Sequence, residues 1–324
     1  MRTLSRQQIH RPTNSTGSGY QNRWAVILAG GDGTRLRSFT RSLTGDERPK
    51  QFCPVIGGQT LLEQTRKRVS LSVPAERTLL VLTQSHERFY KKYVLALHRH
   101  QLLVQPGNKG TAPAILYALL QVASLSRDAT VAIFPSDHYF SNDERFMSFV
   151  NSGFDAVDLR PDAVTLLGIT PEAPEVEYGW IEPATSMSGC LPRSITRVRR
   201  FWEKPSLNLA LRLMECGCLW NSFVMIGRVE AFLNMTRRAL PVLSNLFAEN
   251  ISTFGTSAEV ANLRSLYSQI EETNFSHRVL AMRPDDLTVM KVDKVGWNDL
   301  GEPSRVLATL ARLGLRAAAS ASAS

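Results

Sequence analysis

Residues 24–36 constrain the fold more than any other stretch. They read Trp24-Ala-Val-Ile-Leu-Ala-Gly-Gly-Asp-Gly-Thr-Arg-Leu36, and Arg48-Pro-Lys-Gln-Phe52 follows shortly after. Residues 24–29 form a short, unbroken apolar run, the pattern of a strand buried on both faces of a parallel sheet. Gly30, Gly31 and Gly33 come next. Glycine lets backbone N–H groups turn inward and lets a ligand approach the chain closely. Arg35 and Lys50 add cations where a polyphosphate would lie. A strand opening into a glycine turn with two cations reads as a phosphate cradle.

Other readings of this stretch are weaker. A dinucleotide fold asks for G-x-G-x-x-G, but the third small position holds Leu36. No G-x-x-x-x-G-K-[ST] string occurs, so a P-loop is not expected. A tight strand-to-helix turn that binds nothing is the bland alternative, and Arg35 and Lys50 count against it.

The chain has 324 residues, enough for one large domain or two modest ones. Its net charge of +9 suits anionic small molecules. Nucleic acid is not expected as a partner, because no basic segment interleaves with aromatics. Clusters such as Arg66-Lys67-Arg68 read as solvated faces. No apolar run reaches the length of about 18 residues that spans a membrane. Residues 1–22 are polar and basic without an apolar core, which reads as a disordered tail rather than a secretory signal. Their Arg, Ser and Gln content is only faintly similar to a transit peptide. Residues 317–324, all Ala and Ser, read as a second disordered tail. Cys53, Cys190, Cys216 and Cys218 form no C-x-x-C pair, so reduced thiols in a cytoplasmic protein are expected.

Between residues 24 and 170, apolar runs alternate with helix-like segments. Strands are expected at 24–29, 78–83, 102–104, 130–134 and 163–169, and helices at 60–70, 86–98, 112–125 and 144–157. This alternation predicts an α/β fold with a doubly wound, mostly parallel, Rossmann-like sheet. Thr111 is placed to cap the third of these helices. After residue 170 the pattern becomes mixed. Strands are expected around 178–182 and at 195–202 and 219–226, a helix at 206–216, and a final helix at 302–315. Residues 230–272 read as mostly helical, an appendage to a single domain over 23–316.

Local chemistry then singles out Phe134-Pro-Ser-Asp-His138. It follows directly on an expected strand, and ligands of open α/β sheets gather at the carboxyl ends of strands. Asp137 is placed there to hold a divalent cation; a turn-forming Ser-Asp is the alternative. His138 reads as a packing neighbour, because Mg²⁺ prefers oxygen donors. Glu203-Lys204-Pro205 alone would read as a surface ion pair stopped by proline.

These segments together resemble the sugar-1-phosphate nucleotidyltransferase family. Residues 28–36 are similar to its L-A-G-G-x-G-T-R-L, and Pro49-Lys50-Gln51-Phe52 looks like the mannose-1-phosphate guanylyltransferase branch. Phe134–His138 resembles that branch's metal-aspartate motif. Gly296-Trp-Asn-Asp-Leu-Gly301 resembles G-W-x-D-x-G, whose aspartate supplies the second metal ligand; here it is Asp299, and Asn298 stands where serine is commoner. Phe201-Trp-Glu-Lys-Pro205 resembles F-x-E-K-P. The resemblance implies that Lys204 binds the sugar phosphate and Glu203 the sugar hydroxyls. It also implies backbone contacts to the nucleotide from Ala29, Gly30, Gly31 and Gly33.

Three departures stand out. Tyr178-Gly-Trp-Ile-Glu182 resembles T-G-Y-G-Y-I-E, but Val176 and Glu177 replace Thr-Gly. Trp220-Asn221-Ser222 resembles W-N-S-G, but Phe223 replaces the glycine. Both segments line the sugar side in the family, and Gly179 and Asn221 keep their expected roles there. Gln105-Pro-Gly-Asn-Lys-Gly-Thr-Ala-Pro-Ala114 resembles E-P-x-x-R-N-T-A-P-A, the base-reading loop. Gln105 and Gly110 replace Glu and Asn, while Thr111 matches. An amide offers one acceptor and two donors, so Gln105 suits guanine less selectively than Glu.

The resemblance implies a Mg²⁺-dependent enzyme joining an NTP, GTP by the branch, to a hexose 1-phosphate, mannose 1-phosphate by the branch. Arg35 and Lys50 would stabilise phosphoryl and pyrophosphate charge, and Asp137 and Asp299 would share the metal. The long bifunctional members carry an additional isomerase domain, which is not expected within these 324 residues. A homo-oligomer is compatible with the sequence. The rival is a non-catalytic nucleotide-sugar-binding or regulatory protein on the same fold. A nucleotide-dependent oxidoreductase is a third option that lacks its fingerprint.

Overall fold

The computed structural model describes residues 22–95, 97–184 and 195–315. Residues 1–21 and 316–324, where the tails are expected, lie outside them, as does Cys190. The first half follows the expected alternation: β1 (Arg23–Leu28), α1 (Arg37–Thr44), α2 (Leu61–Val69), β2 (Thr78–Thr83), α3 (Glu87–Val94), β3 (Leu102–Gln105), α4 (Thr111–Leu125), β4 (Thr130–Pro135), α5 (Asp143–Ala156) and β5 (Val164–Ile169). Helix α2 opens on a capping box, with the Thr60 hydroxyl accepting from Glu63 N and the Glu63 carboxylate accepting from Thr60 N at 2.8 Å. Helix α4 is apolar nearly all round because neighbours cover it on several sides. The short α1 was not expected.

The second half comprises β6 (Gly179–Pro183), β7 (Ile195–Glu203), α6 (Leu207–Glu215), β8 (Leu219–Arg228), α7 (Val229–Ala239), α8 (Pro241–Asn250), α9 (Glu259–Gln269), β9 (Leu287–Val292) and α10 (Pro303–Arg312). All nine strands form one sheet in the order β3-β2-β1-β4-β8-β5-β9-β7-β6. The expectation of a mostly parallel sheet holds over β3-β2-β1-β4, whose pairings are all parallel, and in the β5–β9 pair. Strand β8 runs antiparallel to both β4 and β5, and β7 runs antiparallel to β6 and β9. The sheet is therefore mixed. The physical reason is long-range: β8 returns after the β6–β7 hairpin and slots between β4 and β5, consecutive strands that precede it by many residues.

Helices cover both faces. Helices α4, α7, α8 and α9 share one core with β1, through Val26, Ile115, Phe232, Phe247 and Leu266. Helices α2, α5 and α6 share the other, through Leu62, Phe146, Leu213 and Trp180. The helices expected from residue 230 are present but pack on the sheet rather than standing apart, and the chain returns as β9 inside it. A third small core joins Leu36, Cys53 and Leu61 to Leu300, Val306 and Leu310 of the C-terminal segment. It clamps the segment carrying Lys50 against the segment carrying Asp299. Among the described residues no helix is long and apolar enough to cross a membrane, and Cys53, Cys216 and Cys218 are unbridged.

Candidate functional site

The carboxyl ends of β1, β2, β3 and β4 open into a cleft of about 360 Å³, lined by Gly30, Gly31, Gly33, Gln105, Thr111 and Asp137 among others. The glycine turn is held from beneath. Gln51 Nε2 donates to the carbonyls of Ala29 at 3.0 Å and Gly31 at 2.8 Å, and Thr83 Oγ1 donates to the Gly30 carbonyl at 2.9 Å. These bonds consume the carbonyl groups of the turn. Gly33 has φ 58°, and an added Cβ would sit 3.3 Å from Lys50 N. That left-handed position, pressed against the following segment, suits glycine. Asp32 ties the turn to two neighbours: it pairs with His86 Nε2 at 3.1 Å and accepts from Asn108 Nδ2 at 2.8 Å. Burial pushes the His86 imidazole below its ordinary pKa, with Asp32 opposing.

Helix α4 points its N-terminus into the same cleft. The expected cap at Thr111 is displaced by one residue. Gly110 is the N-cap, with φ 83°, and an added Cβ there would meet the Thr273 carbonyl oxygen at 2.5 Å. The Thr111 hydroxyl instead accepts from Phe275 N at 2.8 Å. Gln105 is buried beside the cleft. Its Oε1 accepts from Tyr267 OH at 2.9 Å, while Nε2 lies 3.5 Å from the Leu82 carbonyl. The acceptor expected to face a base is thus engaged by α9.

Lys50 occupies the junction of the clamped segments. The residue is 8 % exposed, in a 3₁₀ turn. Nζ donates to the carbonyls of Asp299 at 2.5 Å and Leu300 at 3.1 Å, and lies 3.2 Å from Asp137 Oδ2. The Asp137 carboxylate and the Asp299 backbone carbonyl therefore meet around one ammonium, from the middle and the end of the chain. The Asp299 carboxylate has its own partners. Oδ1 accepts from Tyr178 OH at 3.2 Å and Gly301 N at 2.9 Å, and pairs with Arg305 Nε at 3.1 Å. Burial opposes its ionisation, but Lys50, His138, Arg305 and the Gly301 N–H together hold its pKa below the ordinary value. Burial pushes His138 down to about 4. Its Nδ1 accepts from Trp297 Nε1 at 3.2 Å, in keeping with a packing role.

The side expected to face a sugar is built by β6, β7 and β8. The pairing of β5 with β8 is irregular between Leu166 and Gly168. The Ser222 hydroxyl fills the gap, donating to Leu167 O at 2.6 Å and accepting from Val224 N at 3.2 Å. Phe223 is thereby turned into the cleft with φ 59°. A glycine would take this backbone without strain, whereas a bulky side chain in it costs about 1–3 kcal/mol. Asn221 is buried, and its Oδ1 accepts from Phe223 N at 3.0 Å, which leaves both amide donors for a ligand. Gly179 stands opposite Glu203 in the β6–β7 register. Burial raises the Glu203 pKa, with Lys204 and His277 opposing. Lys204 also has a left-handed backbone, φ 45°. Its Nζ lies 3.3 Å from Glu177 Oε2, the atom that also accepts from Arg35 Nη1 at 3.0 Å.

Four contributors escaped the sequence reading. Arg305 and Tyr267 lie in no motif, and only the fold brings them in. Tyr178 belonged to a motif but had no expected contact with Asp299. Glu177 was visible only as a departure from the family pattern.

A sequence profile described as nucleotidyl transferase matches residues 24–313. The chain belongs to the nucleotidyl transferase family. It is 28% identical over 286 residues to the xanthan biosynthesis protein XanB of Xanthomonas campestris pv. campestris, covering 87% of this chain and 58% of that protein. The mannose-1-phosphate guanylyltransferase ManC of Salmonella typhimurium is 27% identical over 286 residues, with coverage of 86% and 57%. The chain thus spans a little over half the length of the curated relatives it matches. Among solved structures, a protein described as mannose-1-phosphate geranyltransferase from Thermus thermophilus superposes with a TM-score of 0.74. It is 28% identical, and the match covers 86% of this chain and 76% of that one.

Proposed function

We propose that the protein transfers a nucleotidyl group from GTP to mannose 1-phosphate, giving GDP-mannose and pyrophosphate. The observation that carries this reading is Lys50, buried behind the glycine turn and held by the Asp137 carboxylate and the Asp299 backbone carbonyl. Such a charge is preorganised for phosphoryl oxygens, and its fixed position needs no rearrangement when charge develops. The glycine turn and the α4 N-terminus offer backbone N–H groups to the triphosphate. Arg35, more exposed, takes the pyrophosphate end. Lys204 binds the acceptor phosphate as a point charge, and Glu203 and the Asn221 amide take sugar hydroxyls. Holding the acceptor oxygen in line with the α-phosphorus then supplies most of the rate. No side-chain nucleophile is needed. Guanine and mannose follow the names of the relatives; Gln105, already engaged by Tyr267, adds little selectivity for the base.

Mg²⁺ fits this donor set. The ion takes one or two carboxylates and completes its shell with waters and substrate phosphates. Asp137 lines the cleft, and the same Lys50 ammonium that faces it donates to the Asp299 backbone carbonyl. Among the described residues no three His, Cys, Asp or Glu side chains form a ready-made metal centre. An ion arriving with the triphosphate does not require one. Bound there, Mg²⁺ would neutralise and polarise the α-phosphate. The unbridged, buried Cys53 and Cys218 support a reducing compartment, the cytoplasm.

The test is pyrophosphate release in the presence of Mg²⁺, each NTP in turn, and a panel of hexose 1-phosphates. The expected result is release that needs both substrates, is greatest with GTP and mannose 1-phosphate, and stops with EDTA. Tight nucleotide-sugar binding with no release from any pair would favour the regulatory reading instead.

A further inference from the structure

Glu177 links the two halves of the site. One carboxylate oxygen, Oε2, touches both Arg35 Nη1 at 3.0 Å and Lys204 Nζ at 3.3 Å. Arg35 follows the nucleotide-side glycine turn, whereas Lys204 follows the sugar-side strand β7. A single anionic oxygen shared by a guanidinium and an ammonium is the arrangement a phosphate oxygen would take. The loop bearing Glu177 is anchored independently of these contacts. Trp180 Nε1 donates to the Glu175 carbonyl at 2.8 Å, and the Glu175 carboxylate lies 3.3 Å from Arg305 Nη1. The sequence places this carboxylate where the family motif has a glycine, with no side chain to offer.

We infer that Glu177 is a built-in competitor of the acceptor phosphate, filling the anion position between Arg35 and Lys204 until the hexose 1-phosphate displaces it. The inference rests on the proposed assignment of Lys204 to the sugar phosphate. Both cations are about half exposed, with side-chain exposures of 54% for Arg35 and 49% for Lys204. Exposed ion pairs are weak and screened. A phosphate dianion therefore outcompetes the carboxylate, whereas a monoanion gains little by entering. Glu177 thus lowers affinity for the acceptor while favouring dianionic ligands.

The experiment is calorimetric titration of mannose 1-phosphate, and of inorganic phosphate as a bare anion probe. The proteins are wild type, Glu177→Gln and Lys204→Gln, at low and at physiological ionic strength. Thermal melting confirms that the variants fold. Glu177→Gln is expected to bind both probes roughly three- to tenfold more tightly, with the gain shrinking in salt. Lys204→Gln is expected to bind both more weakly. Unchanged or weaker binding in Glu177→Gln, with weakened binding in Lys204→Gln, would make Glu177 a positioning residue and overturn the inference alone. Unchanged binding in Lys204→Gln would overturn the assignment of the phosphate site, and the inference with it.

Discussion

The halves of this site assigned by the proposal to nucleotide and to sugar are built on different principles. On the nucleotide side, four parallel strands end at one edge, and the ligand surface is mostly backbone: a glycine turn and a helix N-terminus. The side chains there, Gln51, Thr83, Asp32 and Asn108, bind one another or the carbonyl groups of the turn. On the sugar side, antiparallel strands present side chains. Two of those positions, Lys204 and Phe223, have left-handed backbones that are not glycine. The comparison teaches where each half is vulnerable. Backbone sites break when a side chain is added; side-chain sites break when a charge is removed.

Lys50 joins Asp137 to the segment carrying Asp299, so its loss has the largest expected effect. Lys50→Met should lower turnover about 10²- to 10³-fold, the usual consequence of removing one preorganised charge. It should also destabilise the fold by roughly 2–3 kcal/mol, because two carbonyls and Asp137 lose a buried donor. Steady-state kinetics and urea unfolding measure the two effects; a fully stable variant would show that the clamp does not depend on this lysine.

Gly110→Ala tests the backbone half. The new methyl group meets the Thr273 carbonyl in a left-handed conformation, so a loss of about 2–3 kcal/mol is expected. KM for the NTP should rise while KM for the sugar phosphate stays nearly constant. Equal changes in both would blur the distinction between the halves.

Lys204→Ala tests the side-chain half. It should raise the sugar-phosphate KM about tenfold and leave the NTP KM close to wild type, the loss of one charge-assisted contact. Because Lys204 is half exposed, unfolding stability should move by less than about 0.5 kcal/mol. A matching rise in the NTP KM would place the lysine on the wrong side.

The smallest effect concerns His86 beneath the glycine turn. Its folded pKa lies below the ordinary value of 6.5 because burial disfavours the charged ring. The unfolded chain therefore takes up a proton first, and stability falls as pH drops below that value. His86→Gln should flatten this part of the stability profile between pH 7 and 5, with Asp32 keeping the change modest. A profile with the same slope in the variant would remove His86 from the account.

The same contrast explains what the sequence made legible. Strand-turn-helix segments are local, so β1, β2, α4 and Asp137 could be placed from apolar runs and glycines near one another. Strand β8 could be recognised but not positioned, because its antiparallel partners β4 and β5 are set by tertiary packing. Lys50 was identified but its burial was not, since that depends on the clamp with Leu300 and Leu310. Arg305 could not be found at all: a helix arginine becomes a partner of Asp299 only when α10 docks. The Gln105–Tyr267 bond likewise spans 162 positions in sequence and leaves no local trace.

The central claim is that two substrates meet in one site and the nucleotidyl group passes directly between them. Isotope exchange tests it most directly: incubate the protein with Mg²⁺, GTP and labelled pyrophosphate, with and without mannose 1-phosphate, and follow label into GTP. Direct transfer predicts no exchange without the sugar phosphate and rapid exchange once it, and hence GDP-mannose, is present. Exchange in the absence of any sugar phosphate would reveal a nucleotidyl-enzyme intermediate and contradict the account.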